Sequence, residues 1–111
     1  MNNYLILVRG AVGFDELSEE AKGGVYQKWM EYIKRLTESG NWLKGNPLDG
    51  SGRLLCKAKE PKEGIVGDPD IAVDGYFILQ AESYDHALEL CSDCPTFALD
   101  GKVEIRQCIE M

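Results

Sequence analysis

Two short stretches of unbroken apolar sequence, "YLILV" at residues 4–8 and "GYFILQA" at residues 75–81, constrain this chain more than any other feature. Side chains of a strand alternate between its two faces. An unbroken apolar run therefore asks for cover on both sides of a sheet, the position of a central strand. Tyr4, Ile6 and Val8 fall on one face and Leu5 and Leu7 on the other, and the alternation alone leaves open which set meets the helices.

Between the two runs lies a helical pattern. Val25, Tyr26, Trp29, Ile33 and Leu36 recur at three- and four-residue steps, which gathers them on one stripe. Ser18 is placed to cap the helix start, with Glu19 and Glu20 in the first turn where carboxylates meet the positive helix end. Gly40 is the natural stop. Gly23 and Gly24 weaken the early turns, each by up to about 1 kcal/mol relative to Ala. A shorter helix follows the second run, capped by Ser83, with Ala87, Leu88 and Cys91 on a common face and Pro95 beyond its end. "RLLCKAK" (residues 53–59) and "VEIRQCI" (residues 103–109) alternate and read as edge strands, Lys57 and Lys59 suiting an exposed edge. "GNPLDGSG" reads as a turn and "EPKEGIVGDPDIAVDG" as a long acidic excursion.

The order β-α-β-β-α-β predicts an α+β, ferredoxin-like sandwich, a four-stranded antiparallel sheet with two helices on one face. The whole chain, residues 1–111, reads as a single domain. Two helices cover only one face of the central strands. The second apolar face needs its own cover, and the expected one is a second copy of the same sheet, making a homodimer. The alternative cover is the loop at residues 58–74.

A net charge of -7 repels phosphate backbones and anionic lipid, so neither nucleic acid nor a membrane is an expected partner. No apolar run approaches the roughly 18 residues of a membrane span. The first residues show no basic segment or cleavage site of a secretion signal, so the expected compartment is the cytoplasm and the four cysteines are expected as thiols.

Cys91 and Cys94 share the C-x-x-C spacing of redox and zinc sites. Zinc requires a second ligand pair, yet Cys56 and Cys108 are expected at opposite sheet edges. A redox thiol belongs at a helix N-terminus, whereas these lie at a C-terminus, where the dipole opposes a thiolate. The pair is read as core packing, with no metal. His86 is either a solvated surface residue or a base. No dinucleotide, P-loop or zinc-protease motif is present, and no cofactor is expected.

Five residues are candidates for one ligand cleft: Arg9, Trp29, Tyr32, Asn46 and Asp68. Arg9 ends a central strand, where a guanidinium can grip a carboxylate; Trp29 and Tyr32, about one turn apart, can wall a pocket. Asn46 in "GNPL" and Asp68 in "GDPD" lie on segments able to close over an end. Aromatic walls with one cation and few polar groups suit a small organic anion.

The stretches "QKWMEYIKRLTESG", "GNPL", "GYFILQAES", "ALELCSDCP" and "GKVEIRQ" together resemble the YCII-related family, specifically its DGPF-type members, over nearly the whole chain. The resemblance implies a ferredoxin-like fold paired sheet to sheet as a dimeric αβ-barrel. An enzymatic role has been suggested for the wider family because some members carry a His with an acidic partner in a cleft. Here the long helix has no histidine, His86 stands where DGPF-type members usually have Glu, and the name-giving motif survives only as "GDPD". The function expected is binding of a small organic anion. The rivals are a small isomerase or lyase using Asp49 or Asp68 as acid and base, and an accessory protein acting through protein contacts.

Overall fold

In the computed structural model, which describes residues 1–11, 13–55, 62–63 and 72–111, the chain forms an α+β ferredoxin-like sandwich. The elements in order are β1 (Asn2–Arg9), α1 (Glu19–Glu38), β2 (Trp42–Pro47), β3 (Arg53–Leu54), β4 (Lys62–Glu63), β5 (Val73–Ala81), α2 (Tyr84–Cys91), a 3-10 turn (Pro95–Leu99) and β6 (Lys102–Gln107). The main sheet runs β2-β5-β1-β6, every neighbouring pair antiparallel. The two apolar runs are thus its central strands, as their two-sided character requires.

Both helices start and stop where local chemistry dictates. The Ser18 side chain accepts the Ala21 N–H at 3.1 Å, and Gly40 leaves α1 with φ +80°, the left-handed turn glycine adopts without strain. At α2 the Ser83 hydroxyl accepts the His86 N–H at 3.2 Å.

One expected strand is misplaced in the sequence reading. The edge beside β5 is β2, residues 42–47, whereas Arg53–Leu54 pairs with Lys62–Glu63 in a separate two-stranded ribbon. Residues 56–59 of the expected strand lie outside the described residues, as does most of the 58–74 loop. Residues 45–47 fall in the stretch "GNPLDGSG" read as a turn, because it carries Gly45 and Pro47. Both are tolerated because of where they stand. Gly45 lets β2 come close over Phe77, and Pro47 ends an edge strand, where no inner ladder bond is lost.

The pairing register decides the faces. Tyr4, Ile6 and Val8 sit opposite Leu79, Phe77 and Gly75, and all of these are buried beneath the helices with Tyr32, Leu36, Ala87 and Cys91. Ile6 and Leu79 are 0% exposed, and burying each stabilises the fold by about 1.5–3 kcal/mol. Leu5, Leu7, Tyr76 and Ile78 point the other way and are half-buried. The face available to a second copy is therefore the Leu5 and Leu7 face, and Ile6 belongs to the core.

Candidate functional site

The face turned away from the helices is apolar along its centre and charged at its margins. One ladder row crosses it as Asn46, Tyr76, Leu7 and Glu104; the next crosses as Lys44, Ile78, Leu5 and Arg106. Arg9 and its partner Lys102 lie beyond Leu7 and Glu104. The strictly alternating β6 puts Val103 and Ile105 on the core side and Lys102, Glu104 and Arg106 on this one. Among the described residues, Arg9, Lys44, Lys102 and Arg106 thus share the face with one ladder carboxylate, Glu104.

Arg9 holds that carboxylate through Nε to Oε1 at 2.9 Å, and Arg106 adds a longer contact at 3.4 Å. These hydrogen bonds, Arg9's first, keep Glu104 below the usual carboxylate range, so it is ionised and acts as an acceptor rather than an acid. Between Val8 and Arg9 the β1–β5 register shifts, which leaves Asp74 outside the ladder; its Oδ2 accepts the Ala11 N–H at 2.8 Å. This bulge pins the segment leaving β1 beside Arg9. On the other margin the Asn46 amide reaches the Tyr76 hydroxyl at 3.5 Å, a long contact. By strand spacing and rise, Arg9 and Asn46 stand about 12 Å apart, a span one small ligand can bridge.

The proposed five-residue cleft does not assemble. Arg9 and Asn46 share the open face, but Trp29 and Tyr32 are on the far side of the sheet, and Asp68 lies outside the described residues. The reason is the layer itself: a sheet one residue thick separates what its helices touch from what its other face offers. Trp29 and Tyr32 meet edge to face at 5.8 Å and both close around Phe77, at 6.2 and 6.1 Å, while Trp42 stacks on it at 5.0 Å. The buried Tyr32 hydroxyl donates to the Leu90 carbonyl at 2.8 Å, which ties α1 to α2. Burial, with the nearby Cys91, pushes its pKa upward.

The C-x-x-C pair belongs to this same core. Burial first, then the neighbouring Cys94, raises Cys91 to about 12; burial raises Cys94 to about 11 against a lowering hydrogen bond from the Thr96 backbone. Both are neutral, packed thiols at physiological pH. Among the described residues no three His, Cys, Asp or Glu side chains are grouped to hold a metal. His86 is a capping group: its Nδ1 accepts the Glu82 N–H at 3.0 Å while its own N–H donates to Ser83. Asp49 accepts the Ser51 N–H at 2.9 Å, an ordinary turn contact. No helix among the described residues is long and apolar enough to cross a membrane.

No family model matches this chain, and no curated protein matches it by sequence. Among solved structures it is similar to the 5-chloro-2-hydroxyhydroquinone dehydrochlorinase of Burkholderia phenoliruptrix AC1100 in complex with 2,5-dihydroxybenzoquinone, with a TM-score of 0.53 and 19% identity. The likeness covers 92% of this chain and 90% of that one. It shows the fold. The ferredoxin-like α+β architecture read from the element order and seen in the strand register is the architecture of that enzyme as well.

Sequence reasoning missed Tyr76, Lys44, Lys102, Glu104 and Arg106 as members of the open face. The signal was present for β6, whose alternation puts three charged residues on one side. It was absent for Lys44, because β2 was not recognised as a strand.

Proposed function

We propose that the protein is a YCII-related, DGPF-type homodimer of the reducing cytoplasm, paired through its open sheet faces, that binds a small organic anion at the Arg9 end of that face. One observation carries this reading. Among the described residues, a chain of net charge -7 presents four cations, Arg9 among them already partnered, and one ladder carboxylate around an apolar strip on a single face. Cations concentrated beside low-dielectric side chains attract an anion far more strongly than net charge suggests. Two four-stranded sheets closed on each other make an eight-stranded enclosure, wide enough for one small ligand. Arg9 supplies charge at the mouth, Tyr76 and Asn46 supply polar anchors, and Leu5, Leu7 and Ile78 supply the apolar wall. Two cationic margins repel when brought together, and an anion between them offsets that repulsion, so ligand and pairing support each other.

Binding is favoured over turnover because Glu104 is held as a charged acceptor, not as an acid with a raised pKa. The dehydrochlorinase that shares the fold was solved with an acidic quinone, and 2,5-dihydroxybenzoquinone is a suitable probe. Native mass spectrometry should find twice the 12.4 kDa chain mass, and more dimer with the quinone present. Arg9→Ala should weaken quinone binding about tenfold, equivalent to about 1.4 kcal/mol, without unfolding the chain. A monomer at micromolar concentration whose Tyr76 and Asn46 signals ignore the quinone would remove the proposal.

A further inference from the structure

A cavity of about 400 Å³ lies at the corner where α1 passes the end of α2 and the 3-10 turn, which is within the size range of small-molecule sites. It is on the helical side of the molecule, with the sheet between it and Arg9. Lys28 and Arg35 both line it from α1. Seven residues apart, they lie within about 20° of each other around the helix and about 10 Å apart along it. Tyr32 turns inward between them and is buried. Glu31 also borders the cavity, but it is set about 40° farther round toward solvent than Arg35. Across the gap stands Phe97, 45% exposed although it is a large apolar ring.

The charges at this corner are only partly matched. Arg35 uses one terminal nitrogen to pair with Asp93 and stacks over the Tyr32 ring, its carbon 5.5 Å from the centroid. The rest of its guanidinium edge makes no hydrogen bond among the described residues. Lys28 makes no ion pair among the described residues, although Lys22 and Lys34 on the same helix both do. Among the described residues, the corner therefore offers an unpaired ammonium, an unused guanidinium edge held in place by Asp93 and Tyr32, and an exposed aromatic ring. Lys28 and Arg35 are equalled in number by Glu31 and Asp93, but Asp93 is held by Arg35 and Glu31 is set toward solvent, so the side facing Phe97 is the cationic one; an uncharged aromatic molecule would leave both cations unused.

We propose that this corner is a second binding site, independent of the open face, for a small aromatic carboxylate. The ring lies against Phe97 and Pro95, and the carboxylate is received by Lys28 and by the open edge of Arg35, a planar donor pair matched to a carboxylate. Asp93 orients Arg35 and is already paired, so it does not oppose the ligand.

Sodium benzoate titrated into isotope-labelled protein tests this by amide chemical shifts. The expected result is saturable shifts at Arg35, Asp93 and Phe97 with a dissociation constant below about 1 mM. Lys28→Gln, at an exposed position that does not disturb the core, should weaken binding at least about threefold, as expected for an exposed charge worth somewhat under 1 kcal/mol. Benzyl alcohol, the same ring without the charge, should bind more weakly than benzoate, and Arg9→Ala should leave the benzoate dependence of the Arg35, Asp93 and Phe97 shifts unchanged, whatever it does to shifts on the open face. The proposal is overturned if no shifts appear at the corner, if Lys28→Gln or the loss of the carboxylate makes no difference there, or if Arg9→Ala abolishes the corner shifts and so assigns them to the open face.

Discussion

Gly45→Ala isolates the element on which sequence and structure disagree. A Cβ built on Gly45 would stand 2.5 Å from the Phe77 Cβ, 2.6 Å from the Tyr76 carbonyl oxygen and 2.9 Å from the Phe77 Cα. Ordinary contact begins near 3.4 Å, so β2 would have to retreat from β5 by nearly 1 Å. Phe77 has no room to yield, since it is 1% exposed and enclosed by Trp29, Tyr32 and Trp42. Retreat would also stretch the ladder on either side, where Lys44 and Asn46 pair with Ile78 and Tyr76. Overpacking of this kind costs about 1–3 kcal/mol, offset in part by the roughly 0.5 kcal/mol or more that Ala saves over Gly in chain entropy. A net loss of about 1–2 kcal/mol corresponds to a melting temperature lower by roughly 4–12 °C. The control is Gly23→Ala, where nothing lies within 4 Å of the added carbon and the residue is inside α1; it should stabilise by up to about 1 kcal/mol. Thermal melts by circular dichroism and urea titrations read both. If Gly45→Ala matches the wild type within about 0.5 kcal/mol, residues 42–47 do not pack beside β5 and the sheet edge must be sought elsewhere.

Tyr32→Phe removes the donor to the Leu90 carbonyl, and urea unfolding should report a loss of about 1–3 kcal/mol; unchanged stability would mean that water takes over that carbonyl. In native protein at pH 8, iodoacetamide should modify the exposed Cys108 and spare Cys91 and Cys94, as peptide mass mapping would show; rapid modification of either buried thiol would contradict their packing. Because both folded thiol values are raised above the ordinary 9.0, to about 12 and about 11, their contribution to stability is complete below pH 9 and is lost as pH climbs from there through those values. Glu104 has the opposite sign. Its depressed value means that the stability it contributes is present above its ordinary value of 4.5 and is lost as pH falls through the folded one. Glu104→Gln should therefore flatten the acid side of the stability profile, and an unchanged profile would show that the Arg9 contact has no thermodynamic weight.

The central strands, both helices, their caps and β6 were legible because each carries a local signal strong enough to survive tertiary context. A five-residue apolar run, a stripe at helical spacing and a serine before two glutamates each have one economical structural reading. β2 was not legible, because its strand character comes from the partner it lies against. Gly45 is required by the bulk of Phe77, and nothing within residues 42–47 reports that Phe77 will be there. The site failed for a related reason. The stripe read on α1 contains Trp29 but not Tyr32, which is buried, and contains Tyr26, which is 60% exposed; Arg9 does end a strand, but grouping these residues requires knowing which side of the sheet each occupies. Whether Ile6 or Leu7 met the helices was undecidable from alternation alone, and that single choice of register moves every open-face residue to the other side of the molecule.

Charge shows the same distinction between what a sum and an arrangement can say. The total of -7 argues against polyanionic partners, although it is unevenly spread: on α1 the acids Glu19, Glu20, Glu31 and Glu38 are matched in number by Lys22, Lys28, Lys34 and Arg35, whereas the exposed Asp85 and Glu89 of α2 have no cation on their own helix. The open sheet face departs from that average because strand periodicity sorts residues by parity. On β6, Lys102, Glu104 and Arg106 share one side, and register sets Arg9 and Lys44 on the same side from two other strands. An extended nucleic acid meets the net charge of the whole chain, whereas a small anion needs only the one face. The proposed anion site therefore does not conflict with an acidic chain, because the residues assigned to it are those whose side chains point away from both helices.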